Sequence, residues 1–188
     1  MELIRTFIAV EVPYDVKEAA AYIQTELRKF NCRVSWTRTA GMHLTLKFLG
    51  DTDTALIGEL KEALRETVSD FAQFPMTLKN AGVFGGGNPK ILWLGFEESP
   101  DLLALQKKID ERISEFGFPP ERKKFHPHLT LGRIKEPYNA REMAKCLIER
   151  RIEPISFAVN EVNLFKSELK PAGAVYTSLC AAPMKRLG

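Results

Sequence analysis

The apolar positions of this chain change period in a regular order. Thr6-Phe7-Ile8-Ala9-Val10 reads as a strand, and after Pro13 the residues Val16, Ala20, Ile23, Leu27 and Phe30 recur at the spacing of one helix face. Strand periodicity returns from Met42 to Leu49, and Gly50-Asp51 is expected to end it. A second helical stripe, Ile57, Leu60, Leu64, Val68 and Phe71, leads to a strand around Met76-Thr77-Leu78. The first half therefore reads β-α-β-α-β.

The second half repeats that order. Ile91 to Phe96 reads as a strand, and Leu102, Leu105, Ile109, Ile113 and Phe116 form a helical stripe that Ser99-Pro100 would open as N-cap and first helical residue. A strand at His128 follows. Asn139 with Glu142 resembles a capping box for a helix carrying Met143, Leu147 and Ile148, and Ile155 to Val159 reads as the closing strand. The repeat predicts an α+β fold of two pseudo-two-fold-related lobes, approximately 1–84 and 91–188, within one domain. Their antiparallel sheets would line a central cleft, with exchange of terminal strands between lobes left open. Phe84-Gly85-Gly86-Gly87-Asn88-Pro89 reads as an inter-lobe turn, because it has neither the Gly-Lys-Ser/Thr ending of a P-loop nor dinucleotide-fold glycine spacing.

The repeat carries chemistry. His43-Leu44-Thr45-Leu46 and His128-Leu129-Thr130-Leu131 occupy equivalent places and hold two of the three histidines. In an extended strand, residues two apart share a face, so each copy aims an imidazole and a hydroxyl one way and two leucines toward the core. Two imidazoles facing a common groove can take a proton from a nucleophile and give one to a leaving group, while hydroxyls and nearby cations hold an anion. Phosphodiester chemistry is the first expectation.

Neighbouring residues divide by parity. Lys47 has the parity of His43 and Thr45. Arg133 has the opposite parity to His128, so it faces the cleft only if the strand bulges at Gly132. His126 shares parity with His128, and a three-histidine zinc site of His43, His126 and His128 is a rival reading, weakened by the intervening Pro127. Phe7, Phe48, Trp36 and Trp93 read mainly as core, although an aromatic at the cleft rim could stack a base. Arg122-Lys123-Lys124 is either a solvated run or a phosphate contact.

Composition adds bounds. The chain has 188 residues, 45% of them hydrophobic, and a net charge of +3, which fits a globular protein and permits an anionic partner without requiring one. Cys32, Cys146 and Cys180 are too few and too scattered for a disulfide framework or cysteine-rich zinc site, and are expected to be buried reduced thiols. No signal-peptide core or membrane-length apolar run is present, so a cytoplasmic protein is expected.

His43 to Asp51 and Phe125 to Arg133 resemble the two H-x-T-x signatures of the 2H phosphoesterases. Within that group the chain is similar to the RNA 2′,3′-cyclic phosphodiesterase (2′-5′ RNA ligase) type. Arg5 to Val10 and the tail from Ser167-Glu168-Leu169 to Tyr176 extend the likeness over almost the whole chain. The resemblance implies hydrolysis of RNA 2′,3′-cyclic phosphate ends to 2′-phosphates without metal or other cofactor. It also implies a weaker, reversible 2′-5′ joining of tRNA halves. A monomer that contacts no membrane is expected. Carried over by motif, His43 would be the proton donor, His128 the proton acceptor, and Thr45, Thr130 and Arg133 the phosphate ligands. A zinc hydrolase and a non-catalytic RNA-end-binding module stay open as alternatives.

Overall fold

The computed structural model describes residues 2–171 and 173–186. Nine strands and four helices form two antiparallel sheets with helices packed against them. The first sheet has the order β3-β1-β8-β9, built from β1 (Leu3–Glu11), β3 (His43–Asp53), β8 (Glu161–Lys170) and β9 (Gly173–Pro183). The second has the order β2-β6-β5-β4-β7, built from β2 (Val34–Trp36), β4 (Phe74–Phe84), β5 (Ile91–Phe96), β6 (His128–Ile134) and β7 (Ile155–Val159). The helices are α1 (Tyr14–Arg28), α2 (Ile57–Ser69), α3 (Pro100–Ser114) and α4 (Ala140–Ile148). None of the described helices is long and apolar enough to cross a membrane.

The two motif strands occupy equivalent positions, β3 beside β1 and β6 beside β5. They approach each other where the sheets meet. The sheets do not follow the halves of the chain, because β4 of the first half joins β5 and β8 of the second half joins β1. The segment Phe84 to Pro89 is therefore not an inter-lobe turn but part of the β4-β5 hairpin of one sheet, with Gly85 and Gly86 supplying its positive φ angles.

The helical stripes bury as their spacing predicts, with Val16, Ala20, Ile23 and Leu27 on α1 and Leu102, Leu105, Ile109 and Ile113 on α3 all in the core. Phe30, Phe71 and Phe116 fall just past the helix ends, where they still pack on that core. Ser99 caps α3 as expected, its Oγ accepting from Leu102 N. The capping box at Asn139 does not form. Asn139 takes a left-handed conformation, φ 54°, and its Nδ2 instead donates to Phe30 O, which ties the start of α4 to the end of α1. Gly50-Asp51 does not end the motif strand either, since Gly50 at φ 74° absorbs an irregularity and the strand pairs on to Asp53.

Two buried glutamines cross between halves. Gln24 on α1 donates through Nε2 to Thr37 O and to Leu131 O, both at 2.8 Å, so a first-half helix holds the second motif strand. Gln106 on α3 reciprocates with Leu46 O in the first motif, at 3.4 Å. Replacing either by methionine keeps the shape but takes a donor from buried carbonyls, Leu131 O keeping only its bond from Thr37 N at 2.9 Å. Gln24→Met should lower stability by about 1–3 kcal/mol in urea unfolding, with an unchanged m-value. Gln106→Met should cost less, because its bond is longer.

Candidate active site

Both motif strands depart from regular alternation at the same place. Along β1 and β3, Ala9 faces Thr45 while Ile8 faces Lys47, which leaves Leu46 as an extra residue. Along β5 and β6, Trp93 faces Thr130 while Leu92 faces Gly132, which leaves Leu131 as the extra residue. Such a bulge reverses the alternation that follows it. In β3, Leu46 and Lys47 are therefore both buried and Phe48 turns outward, and in β6 Leu131 and Gly132 are both buried and Arg133 turns outward. Strand parity pointed Lys47 toward the cleft and Arg133 away from it. The bulges invert both expectations.

Lys47 is consequently not available to an anion. Only 7% exposed, it pairs with Asp110 and donates to Pro119 O at 2.9 Å, while Asp110 also accepts from Glu121 N. The lysine anchors the loop before the second motif. That loop carries Arg122, Lys123 and Lys124 in exposed positions.

Each motif histidine is fixed in the same way. His43 Nδ1 donates to Gly41 O and His128 Nδ1 donates to His126 O, each at 2.7 Å, which leaves Nε2 of each ring as the nitrogen free for proton transfer. Around His43 the rings are close, with Phe7 stacked at 4.5 Å and Tyr176 edge-on at 5.1 Å. Phe165 packs beside both rings, 5.2 Å from Phe7 and 6.2 Å from His43. A Cβ on Gly41 would lie 2.9 Å from the Tyr176 ring, so this glycine lets Tyr176 reach the histidine while its carbonyl holds Nδ1. Tyr176 went unrecognised as a site residue in the sequence, where its only signal was a place in the C-terminal tail.

His128 sits edge-on to Phe84 at 5.0 Å. His126 packs on Phe84 and Trp93 with its ring 6.2 Å from that of His128, and among the described residues no three His, Cys, Asp or Glu side chains are placed to hold a metal ion. The three-histidine site is not assembled. Of the four aromatics expected mainly in the core, Phe7 is buried, Trp36 and Trp93 are half-buried, and Phe48 is exposed. The cysteines are free, but only Cys180 is fully buried.

The charges acting on this site are cationic. Burial pushes the His43 imidazole down to about 4, opposed by its bond to Gly41 and reinforced by Lys17. Burial also lowers His128, opposed by its bond to His126 O and reinforced by the His126 ring and Arg133. Tyr176 is raised by burial, while Arg133 and Arg5 pull it back. Arg133 thus acts on His128 in one sheet and on Tyr176, the neighbour of His43, in the other. The half-buried hydroxyls Thr45 and Thr130 lie two residues along from their histidines. Paired imidazoles, hydroxyls and a guanidinium can bind an anion and move protons on both sides of it. A separate cavity of about 520 Å³, lined by residues including Arg141, Lys145 and Ile148, contains none of these groups.

The model of the 2′-5′ RNA ligase superfamily matches residues 13–171. The chain belongs to this superfamily. It is 34% identical to an RNA 2′,3′-cyclic phosphodiesterase of Methanothermobacter thermautotrophicus over 94% of this chain and 96% of that protein. It is 36% identical to one of Thermotoga maritima over 93% and 92%. Among solved structures, a Thermus thermophilus protein superposes with a TM-score of 0.81 at 27% identity, covering 98% of this chain and all of that one. E. coli LigT complexed with 3′-AMP gives 0.75 at 25% identity, covering 97% and 99%. The superfamily's two-sheet α+β architecture is the one described above.

In this member of the superfamily burial favours the neutral form of both imidazoles. An anion placed between them favours the cationic form and raises both. Ring-proton NMR should show His43 titrating near 4 in the free protein and His128 below the usual histidine range. Inorganic phosphate should move both upward, and titration unaffected by phosphate would show that the anion binds elsewhere.

Proposed function

We propose that this protein hydrolyses RNA ends bearing a 2′,3′-cyclic phosphate to 2′-phosphates, using side chains alone. The observation that carries this reading is the pair of equivalent bulged strands, each presenting an imidazole held through Nδ1 and a hydroxyl beside it, with Arg133 influencing both halves. The relatives named above as RNA 2′,3′-cyclic phosphodiesterases support the substrate class.

In the proposed reaction, His128 Nε2 takes a proton from water as the water oxygen attacks phosphorus. The bond from phosphorus to the 3′ oxygen breaks, and that oxygen takes the proton of the His43 imidazolium, leaving a 2′-phosphate and a 3′-hydroxyl. Thr45, Thr130 and Arg133 stabilise charge on the non-bridging oxygens. The assignment of His43 as donor and His128 as acceptor follows the resemblance. It requires the bound phosphate to restore the proton that burial removes from His43. With a ribose 5′-hydroxyl in place of water, the same groups would join two RNA ends, such as tRNA halves, through a 2′-5′ linkage.

The decisive experiment incubates pure, EDTA-treated protein with an oligoribonucleotide ending in a 2′,3′-cyclic phosphate and identifies the terminal phosphate. Turnover to a 2′-phosphate is expected, whereas activity that disappears with the metal and returns only with zinc would contradict the reading. His43→Ala and His128→Ala should each lose roughly 10²–10⁴-fold in kcat, and His126→Ala far less. Arg133→Ala should weaken both kcat/KM and affinity for the 2′-phosphate product. If it lowers only thermal stability, the guanidinium does not bind phosphate.

A further inference from the structure

The buried pair of Lys47 and Asp110 holds a segment that the histidines and hydroxyls do not use. Lys47 on β3 also donates to Pro119 O at 2.9 Å, and the Asp110 carboxylate on α3 accepts from Glu121 N at 3.0 Å, so the backbone on both sides of Pro120 is fixed. Replacing a buried ion pair by apolar groups often costs no stability, and what such a pair supplies best is register. Here it registers the approach to His128. The other end of the segment is pinned as well, with half-buried Phe125 against the core and His126 on Phe84 and Trp93.

Between these pins stand Arg122, Lys123 and Lys124, all exposed. Among the described residues none of the three forms an ion pair with a carboxylate. Glu121, the one acid in residues 119–127, instead turns Oε1 to Lys123 N at 3.4 Å. Three adjacent cations repel one another, and a segment pinned at both ends cannot relieve this by spreading. It is preorganised for an extended anion. The equivalent stretch 85 residues earlier, Thr37-Arg38-Thr39, has a single cation, so only one lobe carries such a run. Lys124 is four residues and Arg122 six residues before His128, which keeps them within about 14 and 21 Å of it along the chain.

We propose that residues 119–124 form a track for the sugar-phosphate backbone that precedes the terminal nucleotide, with Arg122, Lys123 and Lys124 on its phosphates and Lys47 and Asp110 as positioning residues that clamp the track in place. This deepens the reading of the site as one for RNA ends and rests on it. A track on one lobe gives the strand a single direction in which to leave a nearly symmetric cleft. It recognises the presence of preceding nucleotides and not their sequence, because phosphates carry no base information.

The test compares a hexaribonucleotide ending in a 2′,3′-cyclic phosphate with adenosine 2′,3′-cyclic phosphate, which has no preceding phosphate. The wild type should prefer the hexamer. Changing Arg122, Lys123 and Lys124 together to Gln should raise KM for the hexamer roughly tenfold to a hundredfold at low salt with kcat unchanged, and should leave hydrolysis of the mononucleotide as it was. The slope of log affinity against log salt for the hexamer should flatten by about 2, the value for three contacts to a single strand. Lys47→Met with Asp110→Leu removes both buried charges at once and should reduce the preference for the hexamer, a ratio that lost stability alone does not move. A folded double variant that keeps the full preference would overturn the clamp. Equal kcat/KM for the two substrates in the wild type, or an unchanged hexamer KM in the triple variant, would overturn the track. If the wild type turns over neither substrate yet binds a hexamer ending in a 2′-phosphate with a salt dependence that the triple variant loses, the hydrolase reading fails and the track stands.

Discussion

One extra residue in each motif strand sets the chemistry of both lobes. Without Leu46 and Leu131 as bulges, regular alternation would put Lys47 and Gly132 on the face of the histidines and send Phe48 and Arg133 inward. Each bulge residue presents its carbonyl to a buried glutamine from a helix of the other half, Gln106 for Leu46 and Gln24 for Leu131. Leu131 O also accepts from Thr37 N at 2.9 Å, so Gln24 adds a second donor there, whereas Gln106 reaches Leu46 O, and the helices do more than cover the sheets. They hold the two irregularities from which the site is built.

The scaffold repeats while its side chains diverge, and the divergence explains the differences between the lobes. At the first residue after the bulge, Lys47 fills the interior and tethers a distant loop through Asp110. Its counterpart Gly132 yields that space to Val34 and Trp36 of β2. A Cβ there would lie 2.6 Å from Val34, so the bare glycine lets β2 dock on β6, and the second sheet gains a strand that has no counterpart beside β3. Gly41 and His126 diverge in the same manner. Each accepts the Nδ1 hydrogen bond through its backbone, while the absent side chain admits Tyr176 in one lobe and the imidazole packs on Trp93 in the other.

Much of this was legible in the sequence because it is local. Apolar spacing gave all four helices, and the duplicated tetrapeptide located both histidines and their hydroxyls. What failed to show was non-local. A bulge is a mismatch between two strands, so the environments of Lys47 and Arg133 could not be read from their own strand's parity. The β8-β9 hairpin was missed because Glu161, Lys166, Glu168 and Lys170 interrupt its apolar pattern, and β2 because three residues are too few to show a period. Asn139 had the right spacing for a cap, but Phe30 O competed for its side chain.

The reciprocal placement of β4 and β8 gives the chain a particular order of completion. The strand carrying His43 is made before β8 and β9, yet its sheet needs β8 against β1 and β9 beyond it. Phe165 and Tyr176, which surround the first histidine, arrive with those strands. The earlier-encoded half of the machinery is therefore the later to mature, and a nascent chain holds an unfinished His43 lobe until β8 and β9 have left the ribosome.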